Sequence, residues 1–169
     1  DDGPWPYATE AIMTTLEQHG GHGTFFMIGG LVFKYPSIAH AVVARGHEVG
    51  NHTLNHYRDG YRQSIEIVPF QQQVGALLGV QPRVFRSPGM VKSTLVQAQL
   101  ARLGMCNFFG NILPGDTILP ARSSAQLCAS FTAQLKPGSI VMLHDGGNHL
   151  ATVMAMPCMT DFAVRNGYR

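Results

Sequence analysis

The feature that most constrains the fold of this chain is an alternation of short apolar runs with segments of helical periodicity. The apolar runs predict strands at 24–28, 47–50, 84–85, 105–109 and 139–143. The helical patterns lie at 8–19, 37–45, 94–103, 123–135 and 154–166, and several of them end at glycine. Strands that alternate with helices indicate β/α units and a parallel sheet. We therefore predict an α/β fold, a distorted and incomplete (β/α) barrel.

Length and composition agree with one domain spanning 1–169. Apolar residues make up 45% of the chain and charged residues only 13%, which suits a compact fold. The net charge of +2 and the lack of any Lys/Arg run give no indication of nucleic acid, and both anionic and neutral substrates remain open. The longest apolar stretches, such as 140–143, are far too short to form a transmembrane segment.

Both ends of the chain interrupt this pattern. The β/α pattern predicts a strand immediately before Asp1 and another after Arg169, and the sequence contains neither. We therefore expect a barrel clipped at both termini, as part of a longer chain. No signal peptide is visible, although an upstream segment would not be seen.

The cysteines give little information about the fold. They are Cys106, Cys128 and Cys158, an odd number without a C-x-x-C pair. One disulfide is possible, but its pairing and the redox compartment stay open.

Polar residues follow the predicted strands at their carboxyl ends. In a β/α barrel this rim is where catalytic side chains assemble. The residues concerned are Asp1, Asp2, His52, His56, Arg86, Asp116 and His144.

The pair His52 and His56 is the strongest local signal. Two histidines four residues apart lie on one face if the segment makes a helical turn, so both could bind one cation. We expect Thr53 to order this turn by local hydrogen bonding. A carboxylate would complete a three-ligand set with an open position, which is typical of catalytic rather than structural zinc. Asp1 and Asp2 are equivalent candidates at this point.

Five motifs carry a resemblance to a known family. Each alone is compatible with a turn, a solvated side chain or a core histidine, but together and in this order they resemble the polysaccharide deacetylases of carbohydrate esterase family 4. The motifs are Asp1-Asp2-Gly3-Pro4, His52-Thr53-Leu54-Asn55-His56, Phe85-Arg86-Ser87-Pro88-Gly89, Pro114-Gly115-Asp116 and Leu143-His144-Asp145-Gly146-Gly147.

The resemblance implies a set of roles around a divalent metal. Asp2, His52 and His56 would bind the metal, with zinc as the first candidate and cobalt or another divalent cation as alternatives. The catalytic residues would be Asp1 as general base, held by Arg86, and His144 as general acid, paired with Asp116.

The same resemblance implies where substrate would bind. Pro88 and Gly89 would contact the substrate, with a backbone N–H near Gly89 holding the developing oxyanion, and Leu143 would line the acetyl pocket. Two positions depart from the family pattern: Gly89-Met90 follows the third-motif proline, where many members have an aromatic residue, and Thr117 follows Asp116, where many have tryptophan. Other aromatic residues could then offer stacking surface, namely Trp5, Tyr7, Tyr57, Tyr61 and Phe109.

The function implied is hydrolysis of a linear amide. The protein would be a metal-dependent deacetylase that removes N-acetyl groups from N-acetylglucosamine units of a polysaccharide or oligosaccharide, of the peptidoglycan or chitin type. An acetyl-xylan O-deacetylase is the alternative on the same fold, and an inactive carbohydrate-binding relative is disfavoured because Asp1 and His144 are retained. The resemblance also implies a secreted or cell-envelope protein.

Overall fold

Four short strands form one parallel sheet whose order follows the chain. The computed structural model describes residues 1–168. The strands are β1 (Thr24–Met27), β2 (Glu48–Asn51), β3 (Val84–Phe85) and β4 (Cys106–Asn107), in the order β1-β2-β3-β4. All three pairings are parallel, which confirms the predicted α/β class.

Seven α-helices and a short 3-10 helix connect and cover these strands within the described residues. Helix α5 and strand β3 coincide with the predicted segments, and α1, α3 and α6 lie within one or two residues of theirs. The helices are α1 (Ala8–Gln18), α2 (Gly29–Lys34), α3 (Pro36–Ala44), α4 (Gly60–Leu78), α5 (Thr94–Leu103), α6 (Ser124–Gln134) and α7 (Leu150–Arg165), with the 3-10 turn at Pro88–Met90.

The predicted strand at 139–143 is wrong in extent. Its only ladder contact in the described chain is a single parallel bridge between Val141 and Ile112. The segment follows Pro137-Gly138, and Asn111 contacts it through its backbone and side chain. An apolar run therefore does not form a strand by itself, because a strand also needs a neighbouring segment that pairs with it over several residues.

Helix α4 was not predicted, although it is the longest helix described. Asp59 caps its start by accepting a hydrogen bond from the Arg62 N–H (2.9 Å), and Gly79 ends it in a left-handed conformation. Pro69 lies inside the helix. Because proline usually ends a helix, Pro69 makes the helical spacing of this segment hard to recognise from the sequence.

The core is divided into three apolar clusters. The largest joins α1, α3, α4, β1 and β2, the second joins α6 to α7, and the third lies between α4, β3 and α5. A disulfide links Cys128 in α6 to Cys158 in α7 with a Cα–Cα distance of 6.1 Å, and Cys106 is free and exposed. The pairing that the sequence left open is thereby resolved.

The parallel register brings the carboxyl ends of the strands to one edge. Met27 ends β1 and pairs in parallel with Gly3, which places Asp1 and Asp2 at this edge. His52 follows β2 directly, and Arg86 follows β3. Within residues 1–168 no helix is long and apolar enough to cross a membrane.

Candidate metal-dependent active site

The two histidines lie on a tight loop, so the predicted helical turn is wrong. The loop is ordered by the Thr53 N–H, which donates to Asn51 Oδ1 (2.9 Å), and by the His56 N–H, which donates to Thr53 Oγ1 (3.0 Å). Thr53 and His56 have positive φ values of 66° and 58°. Two left-handed residues fold the chain back, and His56 thereby approaches His52 without a helix.

Asp2 and the two histidines converge on one point. Asp2 Oδ1 lies 3.1 Å from His52 Nε2 and 3.0 Å from His56 Nε2. This oxygen is buried and has no hydrogen-bond partner in residues 1–168. An oxygen and two nitrogens that point their lone pairs at one another repel unless a cation or a proton lies between them. The arrangement of these three atoms therefore fits a divalent metal.

The tautomer of His52 supports this reading. Its Nδ1 lies 2.6 Å from the Arg86 carbonyl oxygen, which can only accept, so Nδ1 donates and Nε2 keeps its lone pair. Burial lowers the pKa of His52 to about 4, which keeps the ring neutral near pH 7. For Asp2, burial acts to raise the pKa, but contacts with His52 and His56 hold it well below its usual range. The cluster therefore combines the Asp2 carboxylate with a neutral His52 whose Nε2 lone pair faces it.

Helix α4 holds the loop that carries His52 and His56, through residues that were not predicted from the sequence. Buried Glu66 accepts hydrogen bonds from the backbone N–H groups of Leu54 and Asn55, both at 3.0 Å. Buried Asn51 donates from Nδ2 to the Ile67 carbonyl (3.1 Å). The signal that could have found α4 is the helical spacing of its buried residues, which include Gln63, Glu66, Ile67, Phe70 and Val74.

The histidine loop and the third motif are tied to each other by Gln63. Its Nε2 donates to the Tyr57 carbonyl (2.8 Å) and to the Pro88 carbonyl (3.0 Å). Its Oε1 accepts a hydrogen bond from the Ser87 hydroxyl. One buried amide thereby fixes the distance between two of the five motifs.

Asp1 is buried next to the cluster and is held by Arg86. Arg86 Nη1 donates to Asp1 Oδ1 at 2.7 Å, and Arg86 Nε donates to the Phe108 carbonyl at 2.9 Å. Both side chains are about 95% buried, so the pair is charge-assisted and shielded from water. Burial lowers the pKa of Arg86 to about 10, and it remains a cation near pH 7.

Close backbone packing explains the first glycine of the fifth motif, Gly146. A Cβ on Gly146 would lie 1.9 Å from the Asp2 carbonyl oxygen, and the Gly146 N–H donates to the Asp1 carbonyl (3.1 Å). Asp145 is buried below, where it accepts from the Thr9 hydroxyl at 2.6 Å. The fifth motif therefore packs against the backbone of Asp1 and Asp2.

His144 and Asp116 form a second polar pair. Asp116 Oδ1 lies 3.0 Å from His144 Nδ1, and Asp116 Oδ2 accepts from the His144 N–H (2.7 Å) and the Thr152 hydroxyl (3.0 Å). A carboxylate only accepts, so Nδ1 donates and Nε2 is free to exchange a proton. Burial acts to raise the pKa of Asp116, but the hydrogen bonds from His144 and Thr152 lower it.

One cavity of about 220 Å³ collects most of the predicted residues. Gly89 also lines it, whereas Pro88 is buried behind it. Leu143 packs against two core clusters and lines a neighbouring cavity with Asp1 and Arg86, so its place in an acetyl pocket stays a prediction. The cavity is lined by Asp1, Asp2, His52, His56, Arg58, Ser87, Gly89, Met90, Thr117, Met142 and His144.

The aromatic residues named as stacking candidates do not line this cavity. Tyr7 and Tyr61 are exposed, and Trp5 packs edge-on against Tyr35 with ring centres 5.9 Å apart. Gly89-Met90 and Thr117 line the cavity at the two places where the family pattern has aromatic rings. The cavity lining therefore includes none of the proposed stacking residues.

Fold and cavity together place the protein among metal-dependent hydrolases built on parallel β/α sheets. The family model described as "Polysaccharide deacetylase" matches residues 1–108. The chain belongs to this family, as its motifs predicted.

Individual relatives agree with this membership. A chitooligosaccharide deacetylase of Bradyrhizobium sp. (strain ANU 289) is 32% identical over 153 residues, covering 86% of this chain and 68% of the relative. A peptidoglycan-N-acetylglucosamine deacetylase of Bacillus cereus (strain ATCC 14579) is 30% identical over 184 residues, covering 100% and 81%. The family 4 carbohydrate esterase from Streptomyces lividans in complex with acetate superposes with a TM-score of 0.86 at 25% identity, covering 99% of this chain and 86% of that one. These likenesses confirm the predicted barrel type.

Proposed function

We propose that the protein removes N-acetyl groups from N-acetylglucosamine units of a polysaccharide of the peptidoglycan or chitin type. The observation that carries the proposal is the content of one cavity: a three-ligand cluster, a carboxylate held by arginine, and a histidine held by aspartate. A metal-assisted amide hydrolase combines a metal that polarises the carbonyl, a base for the attacking water and an acid for the departing amine, and this cavity offers a candidate for each. The names of the relatives supply the substrate class.

Asp2, His52 and His56 would hold the metal. The buried Oδ1 without a hydrogen-bond partner and the free lone pair on His52 Nε2 fit a cation there. When bound, the metal supplies Lewis-acid polarisation of the acetyl carbonyl and a lowered pKa for water. Zinc is our first candidate because two imidazoles and one carboxylate are a usual catalytic zinc set, and cobalt is the first alternative.

Asp1 would act as the general base that accepts a proton from the attacking water. It lines the cavity beside the ligand cluster, and Arg86 fixes its Oδ1 at 2.7 Å while Oδ2 is left for the water. The guanidinium also favours the carboxylate form. Arg86 is thus a positioning residue for the base.

His144 would act as the general acid that protonates the departing amine. Its Nδ1 is engaged by Asp116, so Nε2 is the atom that transfers the proton. Asp116 stabilises the imidazolium that holds this proton, in the manner of other His–Asp pairs. Gly89, whose backbone lines the same cavity, would offer its N–H to the oxyanion.

We also propose a secreted or cell-envelope location. The disulfide between Cys128 and Cys158 supports it, because such bonds persist mainly in oxidising compartments. The substrates named for the relatives are consistent with this location.

Acetate release tests the function directly. We expect zinc-loaded protein to release acetate from chitin oligomers or peptidoglycan, and a chelator to abolish the release. Acetylated xylan serves as the ester substrate, and faster release from it than from both amides would favour the O-deacetylase alternative. Release that persists in chelator would contradict the metal role.

A further inference from the structure

We propose that Arg58 is a binding site for a carboxylate on the glycan, and that the enzyme therefore prefers an acidic polymer over a neutral one. The proposal rests on the proposed deacetylase function and names its substrate class more closely. Arg58 comes two residues after the ligand His56 and lines the same cavity as the ligand cluster and His144. No role has so far been given to it.

Arg58 is exposed, and its stem packs against the third motif. A Cβ on Gly89 would lie 3.3 Å from Arg58 Cδ and 3.4 Å from Cγ, so the arginine stem crosses directly over the glycine. Gly89 has a φ of 63° and leaves room for it. An arginine held along its stem loses less freedom when its guanidinium binds a ligand.

Arg58 has no anionic partner in the part of the chain that the structure describes. None of the ion pairs or side-chain hydrogen bonds among residues 1–168 includes it. The nearby Arg62 differs, because it pairs with Asp59 at 3.6 Å and lies over the Tyr57 ring at 4.7 Å. A free guanidinium in the wall of a reaction cavity is available to a ligand.

The carboxylates of the cavity are already engaged elsewhere. Asp1 is held by Arg86, and Asp2 faces His52 and His56. The cavity wall therefore offers Arg58 no free carboxylate, and an anion that binds it there would come from the substrate.

The chemistry of guanidinium selects the kind of anion. Its planar fork of N–H donors matches the two oxygens of a carboxylate. The acetyl group that is removed is neutral, so the carboxylate belongs to another substituent of the sugar or of its neighbour. A glycan that alternates N-acetylglucosamine with a lactyl-ether sugar, as peptidoglycan does, carries such a group wherever the lactyl carboxyl is not amide-linked to a peptide, whereas a chitin oligomer does not.

The experiment compares three glycans of equal length with the zinc-loaded protein. They are a chitin tetramer, a peptide-free peptidoglycan tetramer with free lactyl carboxylates, and the same tetramer as its methyl ester. Each is measured for acetate release and, separately, for binding by calorimetry. The variants are Arg58→Gln, Arg58→Lys and, as a charge-matched control, Arg62→Gln.

We expect Arg58→Gln to lower kcat/KM and affinity for the acidic tetramer by about 10- to 100-fold, the usual size for a hydrogen bond between charged groups. The neutral tetramer and the methyl ester should change by less than about 3-fold, Arg58→Lys should recover part of the loss, and Arg62→Gln should have little effect. Equal losses on all three glycans, or no loss on the acidic one, would overturn the proposal. Selective binding of the acidic tetramer without acetate release from any glycan would support the carboxylate site while refuting the deacetylase function.

Discussion

Asp1 and Asp2 are adjacent and chemically identical, yet the structure gives them different surroundings. Asp1 is buried against the Arg86 guanidinium, whereas Asp2 turns toward His52 and His56. Asp2 has a positive φ of 69°, which directs its side chain away from that of its neighbour. The difference between the two carboxylates is therefore made by backbone conformation and partners, which no local sequence pattern specifies.

Strained backbone is concentrated around the same cavity. Five non-glycine residues with positive φ occur among residues 1–168, and Asp2, Thr53, His56 and Met90 lie in the cavity wall or between the ligands. Such conformations cost on the order of 1–3 kcal/mol each and persist where surrounding contacts impose them. For Thr53 and His56 the contacts are the hydrogen bonds that Glu66 of α4 accepts from the loop backbone and the one from the His56 N–H to Thr53.

His144→Ala tests the general acid. The side chain is held by Asp116 at 3.0 Å with Nε2 free, so its loss would remove the proposed proton donor and leave Asp2, His52 and His56 in place. We expect kcat for acetate release to fall by about 10²–10⁴-fold. His40, which is exposed on α3, provides the control His40→Ala with unchanged activity. Full activity in His144→Ala would show that another group protonates the amine.

At the scale of elements, periodic helices could be predicted and the supports of the site could not. Helix α5 was predicted to the residue because its helical pattern stops at Gly104, and the structure adds Ser93 as the cap at its start. Helix α4 was concealed by Pro69, and with it the polar residues Gln63 and Glu66 that hold the histidine loop. These are contacts between segments distant in sequence, so spacing rules do not contain them.

The histidine pair shows the same limit on a smaller scale. Spacing of four residues correctly brought His52 and His56 together, but the reason given, a helical turn, was wrong. Thr53 and Asn51 build a loop instead, through hydrogen bonds that compete with helix formation. A correct pairing can thus follow from an incorrect local geometry.

Glu17 joins α1 to the segment between α3 and β2, and this contact predicts a pH dependence of stability. Its carboxylate accepts two hydrogen bonds from Arg45, both at 2.7 Å, and a third from His47 at 3.0 Å. The hydrogen bonds from Arg45, followed by that from His47, lower the pKa of Glu17 from 4.5 to about 2. Because the folded pKa is the lower one, this stabilisation is present above pH 4.5 and is lost as the pH falls toward 2.

The variant Glu17→Gln should therefore be less stable than the wild type at pH 6, and the difference should be much smaller at pH 2.5, where most of the ionisation-dependent stabilisation is lost. Urea unfolding at both values measures the difference. Glu10→Gln, at an exposed position of the same helix, controls for loss of one negative charge. A gap of the same size at both pH values would mean that the contact acts through packing rather than ionisation.

At the scale of the whole molecule, the site is assembled from segments spread over most of the chain. Asp2 lies beside the edge strand β1, and His52 and His56 follow β2. Arg86 follows β3, and His144 precedes α7. The order of the five motifs could be read from the sequence because parallel strands deliver their carboxyl ends to one edge. The depth of the cavity, and the presence of Arg58 in its wall, depend on how the loops pack.

A metal that joins distant segments should stabilise the entire fold. Asp2 lies beside β1, His52 and His56 follow β2, and His52 also contacts the carbonyl of Arg86 after β3. Because these atoms come together only in the folded chain, a cation bound there favours folding by mass action, by about 2.7 kcal/mol at a free concentration 100 times Kd. For a chain of this size we expect zinc to raise Tm by about 5–10 °C.

Thermal unfolding of chelator-treated protein, with and without added zinc, measures this shift. The double variant His52→Ala/His56→Ala should show no rise on adding zinc, whatever its own Tm, since each protein is compared with itself. The variant His40→Ala keeps the ligand cluster and should show the full rise, which controls for zinc bound by surface histidines. If the double variant gained as much as the wild type, zinc would be binding elsewhere, and the cluster of Asp2, His52 and His56 would have to be held together by a proton instead.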